Sequence, residues 1–437
     1  MENKKPNGAA LIPILVFLIL YLGSGIYFEY IKPVEGGMGF YIMSVVVSFV
    51  IALIVALIQN RDHTFDEKIH ICAQGIGDDN ITIMLFIFLV AGAFSGIARE
   101  SGGADSTAYM LLSIVPARFA VPGIFIIACL ISMAMGTSVG TITVLAPIAL
   151  SVATTAGLNL PLCIATVVGG AMFGDNLSFV SDTTIAATKT QGCAMKDKFR
   201  TNFKIAFPAA LVTLVILILI SSKGGVAEFE IGQFNVIQTL PYFIVLIAAI
   251  AGINVFVALC GGVVLFLITG LITGSLTIAS AFSAMGAGTS GMFETMVVAI
   301  LVAAIGALIK DNGGFAAIID FISRTFKGTK GGMFGIGLLV LLMDIATANN
   351  TVAIVLSGPI AKDVATEYDI DPKRSASLLD TFSCIGQGII PYGAQLLIAA
   401  AATGITSIEI MPFLFYQFAL LIAVIISIIL YRSSKAN

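Results

Sequence analysis

Charge is what this sequence has least of. Its 437 residues include 22 Lys and Arg, 25 Asp and Glu and two His. Charged residues make up 11% of the chain, against roughly 25% in a soluble globular domain. So little charge argues against a soluble enzyme, and the apolar content excludes a disordered chain. The net charge of −3 shows no basic excess, so no nucleic-acid partner is expected. The six Cys (72, 129, 163, 193, 260 and 384) are scattered, mostly inside apolar runs. None forms a CxxC pair or a Cys/His metal spacing, so neither a disulfide framework nor a zinc site is indicated. A selectivity-filter repeat, a membrane His pair and a nucleophile–base constellation are also missing, which speaks against a channel or an intramembrane enzyme.

What the chain has instead is apolar sequence. Residues of the set AVILMFWYC make up 58%, and the mean hydropathy is +1.04. At about 20 apolar residues per crossing the length allows about a dozen spans. Apolar runs fall near 8–29, 38–58, 80–98, 119–135, 140–156, 162–187 and 204–222. After a polar break at Ser221–Gln233 they resume at 234–251, 253–273, 291–309, 331–346, 350–361, 375–402 and 410–431. The backbone must satisfy its own hydrogen bonds in lipid, so these runs predict helices. The first run is longer than the apolar stretch of a signal peptide and lacks a small-residue cleavage site, which predicts a retained span.

With the N-terminus placed in the cytoplasm and sides alternating, 18 basic residues fall inside and 4 (Lys32, Arg99, Arg118 and Lys223) fall outside. This positive-inside bias predicts cytoplasmic N- and C-termini and an inner-membrane, multi-pass protein. Lys4, Lys5, Arg432 and Lys435 belong to the inside set. The segments flanking Gly136–Thr141 and Thr347–Thr351 are short. Each pair, 119–156 and 331–361, reads equally as two full crossings or as one re-entrant hairpin, because the charge count is the same either way.

The two halves align with each other. At an offset of 212, Thr137–Ala187 matches Asn349–Ala399 without a gap. Identities include Pro147/Pro359, Ile148/Ile360, Ala149/Ala361, Gly174/Gly386 and Ala187/Ala399. At an offset of 211, Arg99-Glu100-Ser101-Gly102-Gly103 faces Lys310-Asp311-Asn312-Gly313-Gly314. The division is a first repeat over 1–222, a linker over 223–233 and a second repeat over 234–437. An odd number of crossings per half inverts the second copy. The expected fold is an all-α polytopic membrane protein, an inverted-topology repeat with broken helices or re-entrant hairpins and about 10–14 membrane elements. Secondary transporters are built this way, with the site between the halves.

Four stretches combine polar residues with Gly or Pro inside apolar sequence. They are Gly136–Thr141, Gly174–Thr184, Asp344–Thr351 and Gly386–Gln395, and they form two repeat-related pairs. Asp175 and Asp182 face Gln387 and Ala394, while Thr137 and Ser138 face Asn349 and Asn350. Broken helices free carbonyls and helix ends for ions. Carboxylate, hydroxyl and carbonyl oxygens are hard ligands suited to Na+. The expected cation site is Asp175, Ser178, Ser181, Asp182 and Thr183, with Asp175 and Asp182 as the Na+ ligands. Competition of Na+ and H+ for either aspartate would give exchange. A helix cap is the competing reading of both. Asn176, Thr137, Ser138, Asp344, Asn349, Asn350, Thr351, Gln387 and Gln395 are expected to complete the cavity and hold a polar substrate.

Other polar residues read differently. Asp380 stays open between an ion path and a structural role. Glu294 reads as a span boundary. Asp320 and Arg324 have the i,i+4 spacing of a helix salt bridge. His63 and His70 read as solvated loop residues rather than pH sensors. The run Lys196–Lys204 reads as a cytoplasmic anchor, and Pro208 and Pro241 suit close helix packing in lipid.

The string GDNLSFVSDTT at 174–184 resembles the signature of NhaC-type Na+/H+ antiporters, which typically reads Gly-Asp-Lys-x-Ser-Pro-x-Ser-Asp-Thr-Thr. Gly174, Asp175, Ser178, Ser181, Asp182, Thr183 and Thr184 match. Asn176 stands in place of Lys and Phe179 in place of Pro. The missing cation leaves room for a second cation or a substrate ammonium. The resemblance covers both halves more weakly, and the wider ion transporter superfamily also carries organic acids and amino acids. It implies cation-coupled secondary transport by alternating access, most directly Na+/H+ antiport, with transport of an amino acid or small organic acid as the alternative. No cofactor is implied beyond Na+ and H+ as coupling ions. The partners expected are those ions, a small polar organic substrate, the lipid bilayer and, left open, a second copy of the chain.

Overall fold

The computed structural model describes residues 5–32, 42–59, 61–114, 119–178, 181–223, 233–251 and 253–431. Arg118, Phe179, Lys4, Arg432, Lys435 and most of the linker at 223–233 lie outside the described residues.

The described residues fold as helices alone. The first half runs α1 (Gly8–Ile26), α2 (Val45–Gln59), α3 (Phe65–Ile76), α4 (Asp79–Glu100), α5 (Gly103–Ile114), α6 (Ala120–Met135), α7 (Ser138–Ala156), α8 (Leu160–Leu177), α9 (Asp182–Gln191) and α10 (Met195–Lys223). The second half runs α11 (Val236–Ile250), α12 (Val255–Thr273), α13 (Ile278–Gly291), α14 (Phe293–Asp311), α15 (Gly314–Thr325), α16 (Gly328–Thr347), α17 (Asn350–Glu367), α18 (Pro372–Ile389), α19 (Ala394–Thr403) and α20 (Phe415–Ile429). Among the described residues nine helical stretches are long and apolar enough to cross a membrane, or ten if the bent pair Ser407–Phe413 and Phe415–Ile429 is one span. The chain is a multi-pass membrane protein.

Duplication is visible element by element. Helix α18 repeats α8, and α19 repeats α9, with both ends displaced by 212 residues. Left-handed backbone recurs at the same register. Gly136 and Ala348 end α6 and α16, and Gly192 and Gly404 end α9 and α19. Gly157 pairs with Asp369 in the same way. Ala348 and Asp369 are the two non-glycine residues with positive φ among those described. Each therefore stands where the first copy has the glycine that the conformation favours.

Four helices lie where the apolar runs left gaps: α3, α5, α13 and α15. They have too few apolar residues to stand out as runs. In α15, Phe315, Ile318 and Ile322 are buried on one face, while Asp320 and Arg324 pair on the other, Nη2 to Oδ1 at 2.8 Å. A capping box opens α3, where the backbone N–H of Thr64 donates to Glu67 at 2.7 Å and holds that carboxyl below its ordinary value.

The halves are bound to each other by reciprocal contacts. Helix α7 packs on α19, and its repeat counterpart α17 packs on α9. Between α4 and α13 the backbones approach so closely that a Cβ on Gly92 would lie 2.5 Å from the Gly288 carbonyl. Small residues permit this packing in lipid.

Candidate functional site: a buried carboxylate cluster at the helix breaks

The four polar stretches form two kinds of local structure. Gly136–Thr137 and Ala348–Asn349 are tight turns between helices. The Thr137 hydroxyl caps α7 by accepting from Gly140 N at 3.3 Å, and Asn349 caps α17 by accepting from Val352 N at 3.0 Å. Breaks between α8 and α9 and between α18 and α19 are the second kind. Ser181 caps α9 by accepting from Thr184 N at 3.1 Å. The caps are thus made by Ser181, Thr137 and Asn349, and neither Asp175 nor Asp182 is a cap.

Asp175 lies in the last turn of α8, where the helix dipole disfavours negative charge. It is 4% exposed. Two hydroxyls offset this placement: Ser138 donates to Oδ2 at 2.9 Å and Thr183 to Oδ1 at 3.4 Å. Gln395 of α19 donates to the Ser138 hydroxyl at 3.0 Å. A chain of hydrogen bonds therefore runs from the second half through α7 to Asp175. Ser181 donates to the Asp175 carbonyl at 3.0 Å and shares a 2.9 Å contact with Thr183.

A second carboxylate joins this cluster from the other repeat. Asp380, in the middle of α18, is fully buried and forms an ion pair with Lys198 of α10. Asn202 and Asn176 donate to the same Asp380 oxygen at 3.0 and 3.2 Å. Lys198 also donates to the Asn176 carbonyl and the Thr184 hydroxyl, both at 2.7 Å.

The structure places the remaining expected residues as follows. Ser178 is buried at the C-terminal end of α8. Asp182 is exposed in the first turn of α9, on the favourable end of the helix dipole and off the hydrogen-bonded cluster. Asn350 accepts from Thr351 N at 3.0 Å and stays at the α17 turn. Asp344, Gln387 and Tyr392 sit together at the second-half breaks. Gln387 donates to the Ala348 carbonyl at 3.0 Å, and Tyr392 donates to the Ile345 carbonyl at 2.7 Å.

Two readings of the sequence change. Lys196, Arg200 and Lys204 are exposed, as an anchor requires, but Lys198 is 1% exposed and lies in the buried cluster. Its ammonium occupies the space beside Asn176 that the motif had left open for a second cation or a substrate amine. His63 is not a free loop residue either: its ring lies 2.9 Å from Asp311 and 3.7 Å from Glu67. Helical spacing was the signal for Lys198. Extending the buried stripe Ile205, Ala209, Thr213 back along α10 reaches Asn202 and then Lys198.

A duplicated, all-helical membrane protein with broken helices meeting at buried carboxylates defines the class of secondary carriers. The chain belongs to the Na+/H+ antiporter family, which matches it over residues 4–222 and 230–433. It is similar to the malate-2H(+)/Na(+)-lactate antiporter of Bacillus subtilis strain 168, 20% identical over 441 residues, 92% of this chain and 90% of that protein. The Na(+)/H(+) antiporter NhaC of the same organism is 23% identical over 371 residues, 76% of this chain and 81% of that protein. The arginine/ornithine antiporter ArcD of Halobacterium salinarum is 22% identical over 389 residues, 81% and 79% of the two chains.

Proposed function

We propose that this chain is a cation-coupled secondary transporter that exchanges Na+ for H+ by alternating access. It would work in the inner membrane with both termini in the cytoplasm, as a carrier and not an enzyme. The observation that supports this most is the buried cluster that holds two carboxylates, Asp175 of the first repeat and Asp380 of the second, with one ammonium, Lys198, paired to Asp380. With both carboxylates ionised, the cluster carries one uncompensated negative charge. One Na+ or one proton neutralises it, and the two exclude each other.

Exchange follows from the cost of the empty state. An uncompensated charge at membrane depth costs about 2.5–3.5 kcal/mol, roughly a hundredfold in population. The empty carrier therefore changes sides rarely, while the Na+-loaded and proton-loaded forms change sides freely. Ser138, Ser181 and Thr183 would supply hydroxyl oxygens beside Asp175, and the inverted halves would expose the site to each side in turn. Reconstituted protein tests this reading. Asp175→Asn is expected to abolish Na+-driven proton movement in proteoliposomes, and wild-type rates in that variant would overturn the assignment.

One observation favours a second reading, an amino acid or small organic acid moved with the cation. The side-chain oxygens of Gln387 and Gln395 are buried and meet no hydrogen-bond donor, so they could receive an ammonium or hydroxyl group. Relatives named for malate, lactate, arginine and ornithine point the same way. Thermal stabilisation by unlabelled amino acids or hydroxy acids that appears only with Na+ would favour this reading.

A further inference from the structure

We propose that Asp344 and Gln387 form a second Na+ site, separate from Asp175 and related to it by the duplication. This rests on the transporter reading above and adds a second coupling ion to it.

Asp344 is fully buried in α16, and neither carboxylate oxygen has a hydrogen-bond partner. The backbone N–H of Gln387 faces it without reaching hydrogen-bond geometry. The Gln387 side-chain oxygen is also buried without a donor, because its amide nitrogen is turned to the Ala348 carbonyl. Three acceptor oxygens, two on Asp344 and one on Gln387, are therefore buried with no hydrogen-bond donor among the described residues. Buried acceptors of this kind are normally satisfied, and hard oxygens without protons to receive are the ligand set of an alkali cation.

The repeat sharpens this. In the first half the position equivalent to Asp344 is Ser132, whose hydroxyl is satisfied by donating to the Ala171 carbonyl at 2.5 Å. The position equivalent to Gln387 is Asp175. Each half thus has one buried carboxylate at its break, but on opposite members of the helix pair. In both halves the pair is in contact through a glycine. A Cβ on Gly174 would lie 2.4 Å from Ser132, and a Cβ on Gly386 would lie 2.7 Å from Asp344 Oδ2. Asp175 has donors from Ser138 and Thr183, whereas Asp344 has none and depends on a cation for its compensation.

Sodium-binding stoichiometry of the purified full chain tests this, measured with radioactive Na+ by equilibrium dialysis. Wild type is expected to hold two Na+ per chain, Asp175→Asn one, Asp344→Asn one and the double variant none. Asp344→Asn removes a buried charge that lacks a partner, so its melting temperature without Na+ should match or exceed that of wild type. Gly386→Ala keeps the charge but displaces the carboxylate, and should weaken the second site at least tenfold. A wild type that holds one Na+, lost in Asp175→Asn and kept in Asp344→Asn, would overturn the second site and leave the first standing. Absence of bound Na+ in every form would overturn both.

Discussion

Lys198 and Asp380 are 1% and 0% exposed, so their interaction is decided inside the protein. A buried ion pair adds little net stability over an apolar pair, but removing one partner leaves a stranded charge at a cost of about 3–5 kcal/mol. Lys198→Met should lose that much in denaturant or thermal unfolding in detergent, and Lys198→Met combined with Asp380→Leu should recover most of it. Transport should fail in Lys198→Met, which leaves two uncompensated carboxylates, and return at least in part in the double variant, where Asp175 alone supplies the single negative charge for which Na+ and H+ compete. Backbone conformation makes a second residue-scale prediction. A non-glycine residue in left-handed backbone costs about 1–2 kcal/mol. Gly136→Ala should therefore destabilise by at least about 1 kcal/mol. Ala348→Gly, which relieves φ of 47°, should leave the melting temperature equal or higher, because unfolded-chain entropy returns about 0.4–1 kcal/mol of the gain.

At the scale of helices, the breaks were legible because Gly, Pro and hydroxyl residues interrupt apolar runs at the same register in both halves. Their pairing was not. Sequence offsets relate α7 to α17 and α9 to α19, but the contacts run crosswise, α7 with α19 and α17 with α9. No residue pattern encodes that exchange; it follows from how the helices of one half fit against the other. Lys198 was hidden for a related reason. Its neighbours Lys196, Arg200 and Lys204 are exposed, and composition averages over a helix face that burial separates. Asp380 lacked a nearby break to mark it and became readable only beside Asn176 and Asn202. The α17–α9 contact gives the element-scale prediction. A Cβ on Gly358 would lie 2.5 Å from Thr190 Cβ, and Gln191 donates to the Gly358 carbonyl at 2.8 Å. Gly358→Ala should therefore part α17 from α9, lowering the melting temperature in detergent and slowing exchange. An unchanged melting temperature would show that the contact yields to an added methyl group at no cost.

For the whole molecule, inversion of the second half makes a demand that the duplicated helices alone do not. Equivalent positions must lie on opposite sides of the membrane. Cys193, just past α9, and Ile405, just past α19, are such a pair at an offset of 212, and both are partly exposed. In a background without the other cysteines, a membrane-impermeant thiol reagent should reach Cys193 from the cytoplasmic side only. With Cys193 also replaced, Ile405→Cys should react from the outside only. Labelling of Cys193 should speed up as pH rises into the alkaline range. Burial first, then the carboxylates of Asp197 and Asp371, hold its thiol above the ordinary value, against a smaller opposite effect from Lys198. The reactive thiolate is therefore scarce at neutral pH. Labelling of both positions from one side would leave the duplication intact but make the halves parallel. Asp175 and Asp344 would then approach the same face, and one cluster could not be offered to the two sides in turn.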